Sequence, residues 1–126
     1  FVTIGTNDLK SASKFYDEIL RPFDIIQIDT DERYVGYAKI DNPKKIELYI
    51  MKPHNKEAAT IGNGTMVAFF ADSKKIVDQF HSIGLANGGI DEGLPGPRHE
   101  EDYYAYIRDL DGNKICAYTN SKIWFL

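Results

Sequence analysis

Residues 102–118 read Asp-Tyr-Tyr-Ala-Tyr-Ile-Arg-Asp-Leu-Asp-Gly-Asn-Lys-Ile-Cys-Ala-Tyr, and this stretch decides the fold. An alternating strand ends at Arg108, a turn follows through Asp109–Asn113, and a second strand returns from Lys114. Asp-Gly between alternating apolar runs is a strong short-range hairpin signal, because glycine accepts positive φ without a steric penalty. The returning strand carries Cys116, the only cysteine of the chain.

Upstream, the chain divides into two similar halves. Phe1–Gly5 is β-rich. Asn7 or Asp8 then caps a helix to about Leu20, whose Leu9, Ala12, Phe15, Tyr16, Ile19 and Leu20 form one apolar stripe. Pro22 lies just past its end. Strands follow at Phe23–Ile28, Tyr34–Ile40 and Ile46–Met51. Residues 54–64 are polar and breaker-rich, and read as a linker. The order then restarts with a strand at Thr65–Ala71 and a helix from Ser73 to about Ile83, with Asp72 as its cap and Gly84 as its stop. A shift of 65 places Val2 on Val67, Ile4 on Phe69 and Phe15 on Phe80. A shift of 69 places Ile46 on Ile115, Glu47 on Cys116 and Tyr49 on Tyr118. Two readings fit: a true duplication, or two amphipathic segments alike by chance.

Composition sets outer bounds. With 126 residues, 43% hydrophobic and 27% charged, the chain has the make-up of an ordinary globular domain. Its net charge of −4, with the pairs Lys44-Lys45 and Lys74-Lys75 isolated, argues against nucleic acid as a partner. No apolar run reaches membrane-spanning length and no signal-peptide pattern opens the chain, so no membrane partner is expected. One cysteine excludes an internal disulfide and suits a reducing, cytoplasmic compartment.

The opening V-T-I-G-T-N-D-L-K-S-A-S-K-F-Y-D-E-I-L, the later M-V-A-F-F-A-D and the closing D-Y-Y-A-Y-I-R-D-L-D-G-N-K-I together resemble the vicinal oxygen chelate superfamily of glyoxalases, bleomycin-resistance proteins and extradiol dioxygenases. Gly93-Leu94-Pro95-Gly96-Pro97-Arg98, followed by Tyr103-Tyr104, is similar to a segment of its short bacterial glyoxalase-like branch. The resemblance implies an α+β fold: a single domain of two βαβββ modules, about 1–53 and 65–120, forming a cup-shaped, mostly antiparallel mixed sheet. Members commonly dimerise, which makes a homodimer the expectation.

In metal-using members a His before the first strand and a Glu in the last strand of each module supply ligands. Carried over, those positions are Phe1, Glu47, Met66 and Cys116, of which only Glu47 keeps the expected type. The resemblance therefore implies a degenerate metal site, with no cofactor. Soft sulfur beside one carboxylate suits nickel, zinc or manganese poorly.

Candidate ligand-binding residues are Phe1, Glu47, Tyr49, Met66, Arg98, His99, Tyr104, Tyr106 and Cys116. Aromatic walls with a few polar tips suit a small organic molecule, although the same residues could fill a packed core. Glu47, if buried and unpaired, would titrate high and could serve as general acid or base; Arg98 or Arg108 could pair with it. His99 belongs to a loop, 93–102, that closes over the cup mouth in relatives. His54 and His81 carry no motif spacing.

The sequence thus points to a glyoxalase/bleomycin-resistance-like protein that binds a small molecule without a competent metal centre. A metal-dependent lyase, isomerase or dioxygenase, and a dimeric interaction module with a filled core, stand as alternatives. Whether it is an enzyme stays open; if it is, the resemblance points to a glyoxalase-like lyase.

Overall fold

The computed structural model describes residues 1–120. Ten elements follow in chain order. They are β1 (Val2–Gly5), α1 (Leu9–Leu20), β2 (Ile25–Thr30), β3 (Tyr34–Lys39), β4 (Leu48–Met51), β5 (Val67–Phe70), α2 (Lys74–Ala86), β6 (Ile90–Gly96), β7 (Asp102–Arg108) and β8 (Lys114–Asn120). The strands form two sheets, ordered β1-β4-β3-β2 and β5-β8-β7-β6. In each, the outer pair β1/β4 or β5/β8 is parallel and the other pairs are antiparallel. This is the βαβββ arrangement, twice.

Local chemistry explains the boundaries. Asp8 caps α1 by accepting the Ser11 amide at 3.1 Å and the Ser11 hydroxyl at 2.8 Å. The neighbouring Asn7 bonds through its side chain to both backbone groups of Ala59, at 3.0 and 2.7 Å, and so pins the linker. After α1 comes a single 3₁₀ turn, Arg21–Phe23. Phe23 therefore belongs to this turn rather than to β2. Its ring is buried, 6.1 Å from Phe80 and 6.0 Å from Phe69, and ties the first module to the second. Burying a phenylalanine stabilises by about 1.5–3 kcal/mol.

Three sequence expectations are corrected in the second module. The cap of α2 is Ser73, whose hydroxyl accepts the Ile76 amide at 3.3 Å, not Asp72. Gly84 does not stop the helix; it lies inside α2, where a Cβ would meet Ile107 Cδ1 at 2.5 Å, so it permits close helix–sheet packing. The left-handed glycine after the helix is Gly88, at φ 99°. Much of the expected loop 93–102 is instead strand, since β6 runs through Gly93, Pro95 and Gly96. β6 is an outer strand, where a proline removes no ladder bond that a neighbour needs.

The β7–β8 turn is more than a reversal. Gly112 takes φ 90°, as its sequence context requires. Asp109 is buried and accepts from the Tyr16 hydroxyl at 2.5 Å, from the Asp111 and Asn113 amides and from Asn113 Nδ2, each of the last three at 2.9 Å. Asp111 accepts from the Thr6 hydroxyl at 2.6 Å and from the Asn7 amide at 2.9 Å. Asn113 donates to the Gly5 carbonyl at 2.9 Å. The turn thus docks on the junction of β1 and α1. Among the described residues no helix is long and apolar enough to cross a membrane.

Candidate functional site

Each sheet turns one face to its helix and holds its other face partly open. On the helix side lie Ile4, Val35, Leu48 and Ile50 in the first module and Ala105, Ile107, Ile115 and Ala117 in the second, all buried. Side chains alternate along strands, so the intervening residues populate the open faces.

On the first open face, Tyr49 meets Phe1 at 4.9 Å and Tyr34 at 5.4 Å, both edge-on. Gly36 makes room beside it, since a Cβ there would lie 2.9 Å from the Tyr49 ring. Phe1 is 81% exposed. Glu47 is exposed as well and pairs with Lys45 at 3.7 Å. The expected partners are engaged elsewhere: Arg108 holds Glu92 at 2.6 Å, and the Arg98 guanidinium donates to backbone carbonyls. Glu47 therefore lacks the burial on which its acid–base role was premised.

The second open face is richer. Tyr104 stacks with Tyr106 at 6.0 Å and 11°, and with Tyr118 at 5.6 Å and 18°; Phe70 meets Tyr118 edge-on at 5.5 Å. Two cations attend Tyr106, with Arg98 Cζ 5.4 Å and Lys114 Nζ 5.3 Å from its ring centroid. Cys116 sits between Ala68 and Tyr106 in the strand register and is fully buried. Burial pushes its thiol up to about 11, against the opposing pull of Lys114 and Arg98. Met66, just ahead of β5, is 42% exposed. His99 is exposed in a turn held by Asp102, whose carboxylate accepts the Arg98 and His99 amides at 3.0 and 2.8 Å.

Between the modules lies a largely apolar cavity of about 330 Å³. Val2, Leu48 and Glu47 line it from the first module, and Ala68, Phe69 and Phe70 from the second. Phe70 is thus shared by this cleft and the tyrosine wall. A wider hollow of about 590 Å³ beside Asp8, Lys10, Asp31 and Lys52 is mostly polar and touches none of the candidate ligand-binding residues.

The strand register corrects the repeat itself. Val2 pairs with Leu48 and Val67 with Ile115, while Thr3 pairs with Tyr49 and Ala68 with Cys116. With Val2 matched to Val67, the last strands superpose at the separation of Leu48 and Ile115, which is 67 rather than 69. By the same match Met51 falls on Tyr118, and their partners Tyr34 and Tyr104 on each other. Cys116 therefore corresponds to Tyr49, and Glu47 to Lys114.

This donor set does not fit a divalent ion. Phe1 has no donor, Met66 offers an exposed thioether, the Cys116 thiol holds its proton, and Glu47 faces solvent beside Lys45. Among the described residues no three of His, Cys, Asp and Glu gather as a metal-holding group.

Sequence reasoning missed Lys114 and Phe70 as members of the second face. Period-two alternation, which sets Tyr118 on the face of Cys116, would have found Lys114 as well.

Comparison with known proteins fits this architecture. A glyoxalase/bleomycin resistance protein from Albidiferax ferrireducens T118 is 39% identical, with 94% of each chain covered and a TM-score of 0.84. The chain belongs to the glyoxalase/bleomycin resistance protein family. More distant structures share its fold. A glyoxalase-related enzyme from Fulvimarina pelagi is 20% identical over 95% of this chain and 86% of its own, with a TM-score of 0.73. A lactoylglutathione lyase from Agrobacterium tumefaciens is 20% identical over 98% and 92%, with a TM-score of 0.65. No family model and no curated protein sequence matches the chain.

Proposed function

We propose that this glyoxalase/bleomycin resistance family member binds a small organic molecule against the tyrosine wall of its second module, and does so without a metal centre. One observation carries the reading: Tyr104, Tyr106 and Tyr118 stand as a stacked, half-open aromatic ladder, closed at one end by Phe70. A packed core would bury these rings as it buries Phe15 and Phe80. Flat, partly exposed aromatic surface beside a few polar tips is the ordinary lining of a small-molecule site. The exposure of Phe1 and Met66 on the same open faces supports a homodimer in which a second copy covers them.

Thermal-shift screening of aromatic and conjugated molecules, followed by calorimetric titration of hits, tests the binding reading. Hits are expected to lose affinity about tenfold or more in Tyr104→Ala and Tyr118→Ala. Hits that bind these variants unchanged, or a screen with none, overturn it. Stoichiometric nickel, zinc or manganese in the purified protein that disappears in Glu47→Ala overturns the metal-free part.

A further inference from the structure

The charges around the tyrosine wall are unevenly matched. Four ionisable groups of β6–β8 are satisfied within the fold. Glu92 holds Arg108, and Asp91 holds His81 at 2.8 Å. Asp102, which also lies near this wall, takes two backbone amides on its Oδ1 and feels the charge of Arg98 without forming an ion pair with it. Arg98 and Lys114 differ from all of these: among the described residues neither forms an ion pair, yet both lie within 5.4 Å of the Tyr106 ring.

Arg98 is also held in place. Its Nη1 donates to the carbonyls of Gly96 and Pro97 at 3.0 and 3.4 Å, and its Nη2 to Leu94 at 2.7 Å. A guanidinium has five N–H donors. Nε–H and one Nη2–H therefore stay available among the described residues. Gly93 admits this arrangement, because a Cβ there would come within 2.7 Å of the Tyr106 ring and 3.2 Å of Arg98 Nη2. A side chain on β6 would displace ring and guanidinium together.

We infer that the molecule bound at this wall is a flat aromatic ring carrying a carboxylate, with the ring against Tyr104, Tyr106 and Tyr118 and the carboxylate between Arg98 and Lys114. This rests on the binding reading above and adds the ligand's chemical class. A pre-held guanidinium edge matches a carboxylate's two oxygens at low entropic cost, and Lys114 adds a second positive charge. Stacked rings supply the apolar, flat surface on the other side. A neutral ring of the same shape would stack equally well and leave both cations without an ion-pair partner.

The test compares 2-naphthoate with 2-naphthamide by calorimetric titration at low salt. The carboxylate is expected to bind about tenfold or more tightly than the amide. That preference should shrink in Arg98→Gln and in Lys114→Met, and vanish in the double variant. Unaltered urea midpoints show that the variants fold. Equal affinity for both probes, or a preference that survives the double variant, overturns the ligand class and leaves the binding reading intact. If neither probe binds but Tyr104-dependent neutral hits emerge from the screen, the class falls alone. If nothing binds at all, both readings fall.

Discussion

The phenol of Tyr16 donates a 2.5 Å hydrogen bond to the carboxylate of Asp109, 93 residues further along the chain. Both groups are buried, and among the described residues no cation bonds to the pair. Burial first, and the carboxylate next, push the Tyr16 phenol well above its usual range, which favours the protonated, donating form. A buried carboxylate without a counterion depends on its donors. Tyr16→Phe removes one of four and should cost about 1–3 kcal/mol in urea unfolding. Combined with Asp109→Ala, the two losses should be non-additive by about 1 kcal/mol. Additivity would show that the bond contributes nothing to joining the modules.

Gly84 offers a second stability test. Alanine is ordinarily the better helix former, by about 1 kcal/mol. Here its Cβ would fall 2.5 Å from Cδ1 of Ile107, a fully buried side chain that would have to repack. Gly84→Ala should therefore destabilise by about 1–3 kcal/mol. Adding Ile107→Val removes the obstructing methyl, and the double variant should be more stable than Gly84→Ala alone. Chemical denaturation of the three proteins decides the matter.

Cys116 should be chemically quiet. With its thiol near 11, the native thiolate fraction at pH 8 is about a hundredfold below that of an ordinary cysteine. Iodoacetamide should label the native protein slower than the urea-unfolded chain by at least that factor. The raised value also links to stability: the folded state holds the proton more tightly, so stability should decline as pH rises from about 9 through 11. Cys116→Ala should lack that decline. Rapid native labelling at pH 8 would contradict the burial described.

Acid stability tests the α2–β6 contact. The hydrogen bond from His81, and then the Gly93 amide, hold the Asp91 carboxyl below its usual range. A depressed folded value contributes stability above the ordinary aspartate range, lost as pH falls through the folded value. Between about pH 4 and 2, Asp91→Asn should show a shallower loss of unfolding free energy than the wild type. Identical slopes would mean that the contact does not couple to folding.

Much of the fold could be read from the chain because local signals agreed with the tertiary structure. Asp8 and its stripe gave α1, Asp-Gly gave the β7–β8 turn, and the repeated order gave two modules. The failures came where packing overrode local chemistry. Gly84 resembles a helix stop, but Ile107 on β7 demands it inside the helix. Gly93, Pro95 and Gly96 resemble a loop, but an outer strand tolerates them. The site was harder to read, since the register that sets Cys116 against Tyr49 follows from pairing across strands far apart in sequence. Likewise the exposure of Glu47 depends on where β4 begins, at Leu48, which apolar alternation placed two residues early.

The bonds from Thr6, Asn7 and Tyr16 to the turn at Asp109–Asn113 bear on how the protein comes into being at the ribosome. The first module is synthesised whole by residue 51, yet the polar partners of its β1–α1 junction are made about sixty residues later. At translation rates of about 5–20 residues per second, those partners leave the ribosome several seconds after the residues they bond. The polar seam between the modules can therefore close only once the last hairpin of the molecule has been made.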